Sequence, residues 1–360
     1  MTRAIGVISG TSMDGVDVAL LDGDGETIAE VGPGATYPYA ADVAERLRAV
    51  VADPALAAGP LDDLERDVTD AHVAAVETFL ADHAIARDGV ALVGLHGQTV
   101  LHRPQQRYTR QLCDGARAAR RLGIDVVCDF RSADVAAGGE GAPLVPLYHA
   151  ALASGLERPL MFLNWGGVGN VTYLGRDGEI VAFDTGPANA PIDDFVRLRL
   201  GLSHDANGAL AASGKVDEGL VAAWMQDPYF RRPAPKSLDR NHFHRLTAAA
   251  EGLSDADGAA TLAAFTVEAT AAALALTPEA PKRWLVCGGG RRNATLMARL
   301  ARRLGVPVEP IEAIGQDGDF VEAACFAHLA LRSRRGLALS LPTTTGAPQP
   351  MTGGAYWPRT

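Results

Sequence analysis

The sequence predicts an α/β protein made of two similar halves. Short apolar runs that indicate strands alternate with longer segments of helical spacing, which is the pattern of layered α/β folds. Each half opens in the same way, with two strands joined by a glycine-rich turn, at 4–8 and 16–21 and again at 160–165 and 171–174. Such a repeat is typical of two similar domains that face each other across a cleft, and 360 residues are enough for both.

The remaining elements follow in order along the chain. Apolar residues at helical spacing predict an amphipathic helix over 61–85. We expect strands at 90–95, ending at His96, and at 124–130, and then a glycine- and proline-rich loop or hinge at 138–146. In the second half a hairpin turn at 175–178 leads into a strand at 179–183. Helices are expected near 191–200, 259–276, 293–304 and 319–331.

The composition is that of a globular protein with 48% apolar and 21% charged residues. A net charge of −10 argues against a nucleic-acid or anionic-membrane partner. We expect no transmembrane helix, because no apolar stretch approaches 18 residues, and the apolar start of the chain is too short for a signal peptide. Four scattered cysteines without a C-x-x-C pair favour reduced thiols and a cytoplasmic location.

The turn between the first two strands is the most informative segment. It contains the residues Gly10, Thr11, Ser12, Met13, Asp14, Gly15, Val16 and Asp17. Backbone N–H groups and hydroxyls in such a turn can face an anion, while Asp14 and Asp17 can hold water around a metal ion. The segment matches neither the Walker loop nor the dinucleotide fingerprint, and an ordinary glycine hairpin is the alternative.

Two further glycine-rich segments follow strands in the second half. The first, at 164–170, contains Gly166, Gly167 and Asn170, and can approach a ligand closely. The second is the triplet 288–290 (Gly288, Gly289, Gly290), which precedes a helix capped near Asn293 and can lie against a flat ring or an anion. A plain β-turn and a plain strand–helix connector are the respective alternatives.

Charged residues at two predicted strand ends complete the set of candidates. Asp184 ends an apolar strand where ligands of open α/β sheets bind, so it is a candidate general base; capping of the next helix is the alternative. Arg131 suits a substrate carboxylate, because its guanidinium binds bidentately. A surface pair between Arg131 and Asp134 is the alternative there.

Taken together in order, these motifs resemble the anhydro-N-acetylmuramic acid kinases of the actin, hexokinase and heat-shock-70 type ATPase superfamily. The matching segments are GTSMDGVD at 10–17, HGQT at 96–99, DFR at 129–131, GGEGAPLVP at 138–146, FDTGP at 183–187, CGGG at 287–290 and E-A-x-x-F-A at 322–327. The sequence departs from the family pattern at Glu140, Trp165, Gly169 and 238–239, which bears on fine substrate contacts and leaves the reaction type intact.

The resemblance implies two ribonuclease-H-like domains with the actin-like ATPase fold flanking a deep active-site cleft. We place the domains at 1–130 and 131–360, with the extreme C-terminus able to pack back on the first. ATP phosphates would contact the turns at 10–17 and 164–170, and the adenosine would lie near the glycine triplet. The sugar is expected to contact His96, Asp129, Arg131, Asp134 and Glu140.

The implied reaction is ATP-dependent phosphorylation of O6 of 1,6-anhydro-N-acetylmuramic acid in peptidoglycan recycling, with water adding at C1. Asp184 matches the family's catalytic base, and Mg²⁺ is expected at Asp14 and Asp17. Glu322 is expected among the catalytic residues as a supporting carboxylate, behind the reacting groups or on the side of the metal. The family also suggests a homodimer. A conventional sugar kinase that uses a free hydroxyl, and an ATP- or muropeptide-binding sensor without catalysis, are the alternatives.

Overall fold

The computed structural model describes residues 1–10, 13, 15–239, 242–243 and 245–359. Its strands, in chain order, are β1 (Thr2–Ser9), β2 (Gly15–Gly23), β3 (Ile28–Pro38), β4 (Leu92–Arg103), β5 (Tyr108–Leu112), β6 (Asp125–Cys128), β7 (Leu160–Trp165), β8 (Val168–Leu174), β9 (Ile180–Pro187), β10 (Trp284–Cys287), β11 (Val308–Pro310) and β12 (Ala355–Trp357).

The α-helices alternate with these strands. They are α1 (Ala41–Ala52), α2 (Pro54–Ala58), α3 (Asp62–Asp82), α4 (Gly115–Leu122), α5 (Ser132–Ala137), α6 (Pro146–Leu152), α7 (Asn189–Leu200), α8 (Ala209–Ser213), α9 (Glu218–Trp224), α10 (Leu246–Ala249), α11 (Asp255–Ala271), α12 (Ala294–Leu304), α13 (Val321–Arg334) and α14 (Pro342–Thr345). Short 3₁₀ turns lie at Arg87–Gly89, Pro104–Gln106, Ala206–Gly208, Pro228–Arg231, Ala272–Leu276, Gly289–Arg292 and Ile311–Ile314.

The chain forms two compact units, one of Met1–Ser154 with Phe320–Thr360 and one of Gly155–Asp319. The division differs from the expected one at 130/131 in two places. Helices α5 and α6 belong to the first unit, and the chain returns to that unit at α13. The return has a structural cause, because α13 packs on β1, β2 and β4 and β12 pairs with β6.

The first unit is built on a seven-stranded sheet of order β12-β6-β4-β1-β2-β3, with β5 paired to β4. The first three strands form an antiparallel meander, and β1, β4 and β6 are parallel. Because β1 is covered on both faces, its apolar run is buried continuously rather than alternately. The predicted helix at 61–85 is α3, whose first turn holds three acidic residues that suit the positive end of the helix dipole.

Two glycines allow α13 to lie directly on this sheet. A methyl group on Gly6 would stand 1.8 Å from the Ala323 carbonyl oxygen, and one on Gly94 would stand 2.1 Å from that of Phe326. Only a residue without a side chain permits this approach. As a result α13, which carries Glu322 in its first turn, lies directly on β1 and β4.

The second unit repeats the plan with a five-stranded sheet of order β11-β10-β7-β8-β9. Its first three strands are again an antiparallel meander, and β7, β10 and β11 are parallel. The order therefore corresponds strand for strand to β6-β4-β1-β2-β3 of the first unit. The predicted α/β class and the predicted internal repeat are both confirmed.

One sequence-based expectation is wrong, and so is the premise that no apolar stretch approaches 18 residues, on which the expectation of no transmembrane helix rests. The strand expected to end at His96 continues to Arg103 as β4, because β4 moves from pairing with β1 and β6 to pairing with β5. The helix Asp255–Leu276 is also long and apolar enough to cross a membrane, by length and composition only. Since 67% of its apolar window is buried, and it packs against α7, α8, α9 and α12, it is the core helix of the second unit.

Candidate functional site

The second glycine-rich turn is a rigid two-residue connection between β7 and β8. Asn189 donates from Nδ2 to the carbonyls of Trp165 (2.8 Å) and Gly166 (3.0 Å), and its backbone N–H donates to Gly166 (3.0 Å). A methyl group on Gly166 or Gly167 would meet its nearest neighbour at 3.5 or 3.6 Å. The turn is thus fixed from within, while its outer side has room for a ligand to approach the backbone.

The glycine triplet lies against the same turn. The φ of Gly288 is +72°, and a methyl group there would stand 2.2 Å from Asn164 Oδ1. A methyl on Gly290 would stand 2.5 Å from Trp165 Cβ, while one on Gly289 would meet nothing within 4 Å. The structure therefore brings these two predicted segments together at the carboxyl ends of β7 and β10.

The end of the triplet is fixed by a cap and a charge network. Asn293 accepts the Leu296 N–H at 3.0 Å as the N-cap of α12, as predicted. The Arg291 side chain, only 5% exposed, pairs with Glu312 at 2.8 Å and Asp319 at 3.0 Å. Burial alone would lower the pKa of Arg291, but these carboxylates raise it above its usual value. An open recess of about 660 Å³ adjoins the network; its lining includes Arg291, Arg292, Gly315 and Gln316.

Asp184 is held in the strand β9 and does not cap a helix, since the N-cap of α7 is Ala188. It stands opposite Asn170 in the β8–β9 register, so these two predicted residues are neighbours. Its Oδ2 accepts the Leu238 N–H at 2.8 Å, and its own N–H donates to the Lys236 carbonyl at 2.9 Å. The half-buried Asp184 is therefore fixed in both backbone and side chain.

Two residues beside Asp184 were missed by sequence reasoning. The Tyr229 hydroxyl donates to the Asp184 carbonyl at 2.6 Å, and the Lys236 ammonium donates to the Tyr229 carbonyl at 3.0 Å. Lys236 is 6% exposed. Burial lowers its pKa to about 8, the charge of Arg232 adds to this, and Asp184 opposes it. The sequence signal was a lysine in a proline-rich turn at 233–236, which is weak on its own.

The first glycine-rich turn lies partly outside the described residues, which do not include Thr11, Ser12 and Asp14. A methyl on Gly10 would meet none of the described atoms within 4 Å, while the Gly10 carbonyl accepts the Met13 N–H at 3.2 Å. Gln98 supports this strand end, accepting from the Ser9 hydroxyl and donating to the Thr99 carbonyl at 3.2 Å.

The rest of that turn is built into the sheet. Met13 is buried with φ +55°, and Gly15 and Val16 pair with Pro38 and Tyr37 of β3. Asp17 is half-buried and accepts the Thr36 hydroxyl at 2.6 Å.

Glu322 is a carboxylate of the first unit whose pKa is raised. Although solvent reaches Glu322, the surrounding protein atoms reduce its hydration and raise its pKa. Arg131 opposes that rise and the charge of Asp17 adds to it. Within the part of the chain that the structure describes, no cluster of three or more His, Cys, Asp or Glu side chains is placed to hold a metal ion.

Arg131, which follows β6, is joined to His96, which lies within β4. Arg131 donates from Nε to His96 Nε2 at 2.9 Å and from Nη1 to the Gly141 carbonyl at 2.7 Å. Burial, and then the charge of Arg131, lower the pKa of His96 well below its usual value. His96 is therefore neutral, with Nδ1 donating to the Gly97 carbonyl at 2.8 Å. The arrangement presents a partly buried cation beside a neutral imidazole.

Asp134 is engaged inside the first unit. Its carboxylate is 2% exposed and accepts the Gly141 N–H at 2.7 Å, the Thr345 hydroxyl at 2.6 Å and the Ser340 hydroxyl. Arg131 forms no ion pair with Asp134; both residues are described, and the carboxylate instead holds the 138–141 loop.

The other two predicted sugar contacts lie at the edges of this region. Asp129 is exposed with φ +56°, an uncommon conformation that often marks functional positions. Glu140 is half-buried, and its N–H donates to the Thr345 carbonyl at 2.7 Å.

The repeated strand order and the open glycine turns at strand ends define a two-domain ATPase of the actin-like fold. A solved structure supports the fold: component A of the Acidaminococcus fermentans (R)-2-hydroxyglutaryl-CoA dehydratase aligns with a TM-score of 0.51 at 12% identity. The alignment covers 93% of this chain and 100% of that one.

Sequence comparison gives the family. The family model described as anhydro-N-acetylmuramic acid kinase matches residues 2–359, and the chain belongs to that family. A relative of that name from Rhodospirillum rubrum is 55% identical over 99% of this chain and 94% of its own length. Another, from Paramagnetospirillum magneticum, is 52% identical over 98% of this chain and 99% of its own length.

Proposed function

We propose that this protein is an ATP-dependent sugar kinase that acts on 1,6-anhydro-N-acetylmuramic acid and yields N-acetylmuramic acid 6-phosphate in peptidoglycan recycling. The observation that carries the proposal is the family match over residues 2–359. The anchored carboxylate of Asp184 and the open backbone at both glycine-rich turns supply residue types that the chemistry needs.

The proposed reaction couples ring opening to phosphoryl transfer. In the substrate, O6 is bonded to C1 and carries no hydrogen, so it becomes a nucleophile only as the C1–O6 bond breaks. A water oxygen bonds to C1 and its proton passes to Asp184. O6 bonds to the γ-phosphorus, and the bond from that phosphorus to ADP breaks. The phosphoryl group takes the leaving oxygen, so no second acid is needed at O6, unlike in inverting glycosidases.

The residues for ATP fit the group. Among the described atoms, Gly10, Gly166, Gly167 and Gly289 leave backbone faces open, as close approach of phosphate or a flat ring requires. We propose that the two glycine-rich turns bind the phosphates of ATP and that the triplet with Asn293 binds the adenosine. Asn293 is fixed there because it caps α12.

We propose that carboxylates of the first unit hold Mg²⁺, together with Asp14, which lies outside the described residues. Asp17 and Glu322 repel each other electrostatically, and a cation near both would remove that repulsion. Asp14 would join them. Bound there, Mg²⁺ would offset negative charge on the transferring phosphoryl group. We propose that the negative charge of Glu322 contributes to catalysis by helping to hold Mg²⁺.

We propose that Arg131 binds the lactyl carboxylate of the sugar. Two of the five N–H donors of a guanidinium are engaged with His96 and Gly141, which leaves three for a carboxylate. Neutral His96 orients the guanidinium. Asp129 and Glu140 are proposed to contact sugar hydroxyls. Asp134 is proposed to act through the loop at Gly141, since its carboxylate is already engaged there.

The setting of the enzyme is also a proposal. The four cysteines, all within the described residues, form no disulfide, which suits a reducing cytoplasm. We propose a homodimer without membrane or nucleic-acid partners, as the family resemblance implies. The two compact units are proposed to be the two domains.

The test is incubation with ATP, Mg²⁺ and the anhydro sugar, followed by mass spectrometry of the sugar. We expect a product heavier by one phosphoryl group and one water. A product that gains a phosphoryl group without water would indicate a conventional kinase. An unchanged sugar with saturable ATP binding would indicate a sensor.

A further inference from the structure

We propose that Lys236 is a positioning residue which, with Tyr229, holds Asp184 in the orientation and the ionised state needed to accept a proton. The inference rests on the proposed role of Asp184 as the base and adds two residues to it. Neither residue belongs to the glycine-rich turns, the glycine triplet or the group around Arg131.

Three hydrogen bonds hold Asp184 in place. The segment at 236–238 runs beside β9 and forms two hydrogen bonds with this one residue, from the Asp184 N–H to the Lys236 carbonyl and from the Leu238 N–H to Oδ2. The Tyr229 hydroxyl binds the Asp184 carbonyl from a third direction. Few rotations of Asp184 are compatible with all three contacts.

The two supporting residues, Lys236 and Tyr229, are also linked to each other. The Lys236 ammonium donates to the Tyr229 carbonyl at 3.0 Å and lies 4.3 Å from the centre of the Tyr229 ring. Tyr229 is itself 2% exposed and packs edge-on against Phe230. Lys236, Tyr229 and Asp184 therefore form a closed circuit of contacts attached to the aromatic core of the second unit.

The positive charge of Lys236 also acts on Asp184. A buried ammonium is costly, and a neutral side chain of equal length would fill the same space without that cost. The partners of Lys236 include a neutral carbonyl, the faces of Tyr229 and Phe183, and the nearby negative charge of Asp184. All of these gain from a full positive charge, but only Asp184 has a charge state of its own that the ammonium can favour. The ammonium therefore favours the carboxylate form of Asp184 over the carboxylic acid.

The pH dependence follows from the groups that face Lys236. These are Asp184 on β9, Tyr229 in the 3₁₀ turn and Arg232 just after it. Burial and Arg232 lower the pKa of Lys236 to about 8, whereas burial raises the pKa of Tyr229 far above neutrality. Above about pH 8 the ammonium loses its proton, and its charged hydrogen bond to the Tyr229 carbonyl weakens. The carboxylate stays ionised at that pH, so a fall in kcat there would report looser positioning of Asp184. An arginine at this position would stay charged and move that fall to higher pH.

The experiment compares Lys236→Met, Lys236→Arg and Tyr229→Phe with the full-length enzyme by kcat, by KM for sugar and ATP, and by pH profile. Lys236→Met should lower kcat by roughly 10- to 100-fold and leave both KM values within about threefold, because Lys236 is only 6% exposed and offers little surface to a substrate. Lys236→Arg should recover most of the rate and lose the alkaline fall. Tyr229→Phe should lower kcat by roughly 5- to 10-fold.

Arg231→Gln is the matched control, since it removes an exposed charge from the same segment, where Arg231 contacts Gln226. It should retain the wild-type rate. The proposal would be overturned if Lys236→Met kept the wild-type kcat and pH profile. It would also be overturned if the KM for sugar and the KM for ATP both rose by as much as kcat fell. If that variant does not fold, an unchanged alkaline fall in Lys236→Arg overturns it. Asp184→Asn separates the role of Asp184 as base from the role of Lys236 as a positioning residue. Turnover by Asp184→Asn would refute the first role. An inactive Asp184→Asn together with a fully active Lys236→Met would refute only the second.

Discussion

Replacing Arg131 with methionine tests how the sugar is recognised. Methionine keeps the length and apolar stem but removes every donor. In the structure the guanidinium is partly buried and oriented by His96 and Gly141, so little conformational entropy opposes a bidentate contact with a carboxylate. A charge-assisted hydrogen bond contributes about 1.5–3 kcal/mol, and the bidentate pair sets the upper part of that range.

A loss of about 2–3 kcal/mol corresponds to a roughly 30- to 150-fold rise in KM for the sugar. The rise should be specific to the lactyl carboxylate. The same variant should therefore show nearly unchanged kinetics with 1,6-anhydro-N-acetylglucosamine, which has the same bicyclic ring and no lactyl group. ATP binding should be unaffected.

The assay is steady-state kinetics on both sugars with wild type, Arg131→Met and Arg131→Lys, together with thermal unfolding. Arg131→Lys keeps the charge but cannot bind bidentately, so it should recover only part of the KM. Equal losses on the two sugars would refute the assignment, because they would show that Arg131 supports the site through His96 and the 141 loop rather than through the carboxylate.

Two further predictions concern the first unit. Gly6→Ala should lower the free energy of unfolding by about 2–3 kcal/mol or more, because its methyl group would stand 1.8 Å from the Ala323 carbonyl oxygen. The control Gly89→Ala, whose methyl group would meet no described atom within 4 Å, should be nearly neutral in denaturant unfolding. Equal stabilities of the two variants would show that α13 does not need this close approach. Glu322→Gln should raise the Mg²⁺ concentration that gives half-maximal rate by roughly tenfold. It should also flatten the acid side of the pH profile, because a carboxyl with a raised pKa becomes protonated at a higher pH than usual. An unchanged Mg²⁺ dependence would show that Glu322 does not lie near the metal.

Features encoded by local sequence were predictable. The apolar spacing of 61–85 predicted α3, and the strand–glycine–helix pattern predicted the triplet with its cap at Asn293. The repeated opening predicted two similar halves, and each half contains a sheet with the same order over five strands. In each case the signal lies within one element and its flanking turn. Periodicity and glycine placement report directly on such local geometry.

Features that depend on distant contacts were not predictable. Ser340 and Thr345 bind Asp134 from 206 and 211 residues away, so no local pattern shows that this carboxylate is already engaged. Tyr229 and Leu238 reach Asp184 across 45 and 54 residues. The continuation of β4 past His96 likewise depends on β5 offering a new partner strand.

The central claim is that water attacks C1 while the bridging O6 takes the phosphoryl group, with Asp184 as the base. The most direct measurement is turnover in oxygen-18 water, followed by mass spectrometry of the sugar and of phosphate, for wild type and Asp184→Asn. The account predicts label at C1 of the phosphorylated sugar in wild type, and no labelled product from Asp184→Asn, which should still bind the sugar. Label in inorganic phosphate, or a C1-labelled product from Asp184→Asn at the wild-type rate, would contradict it.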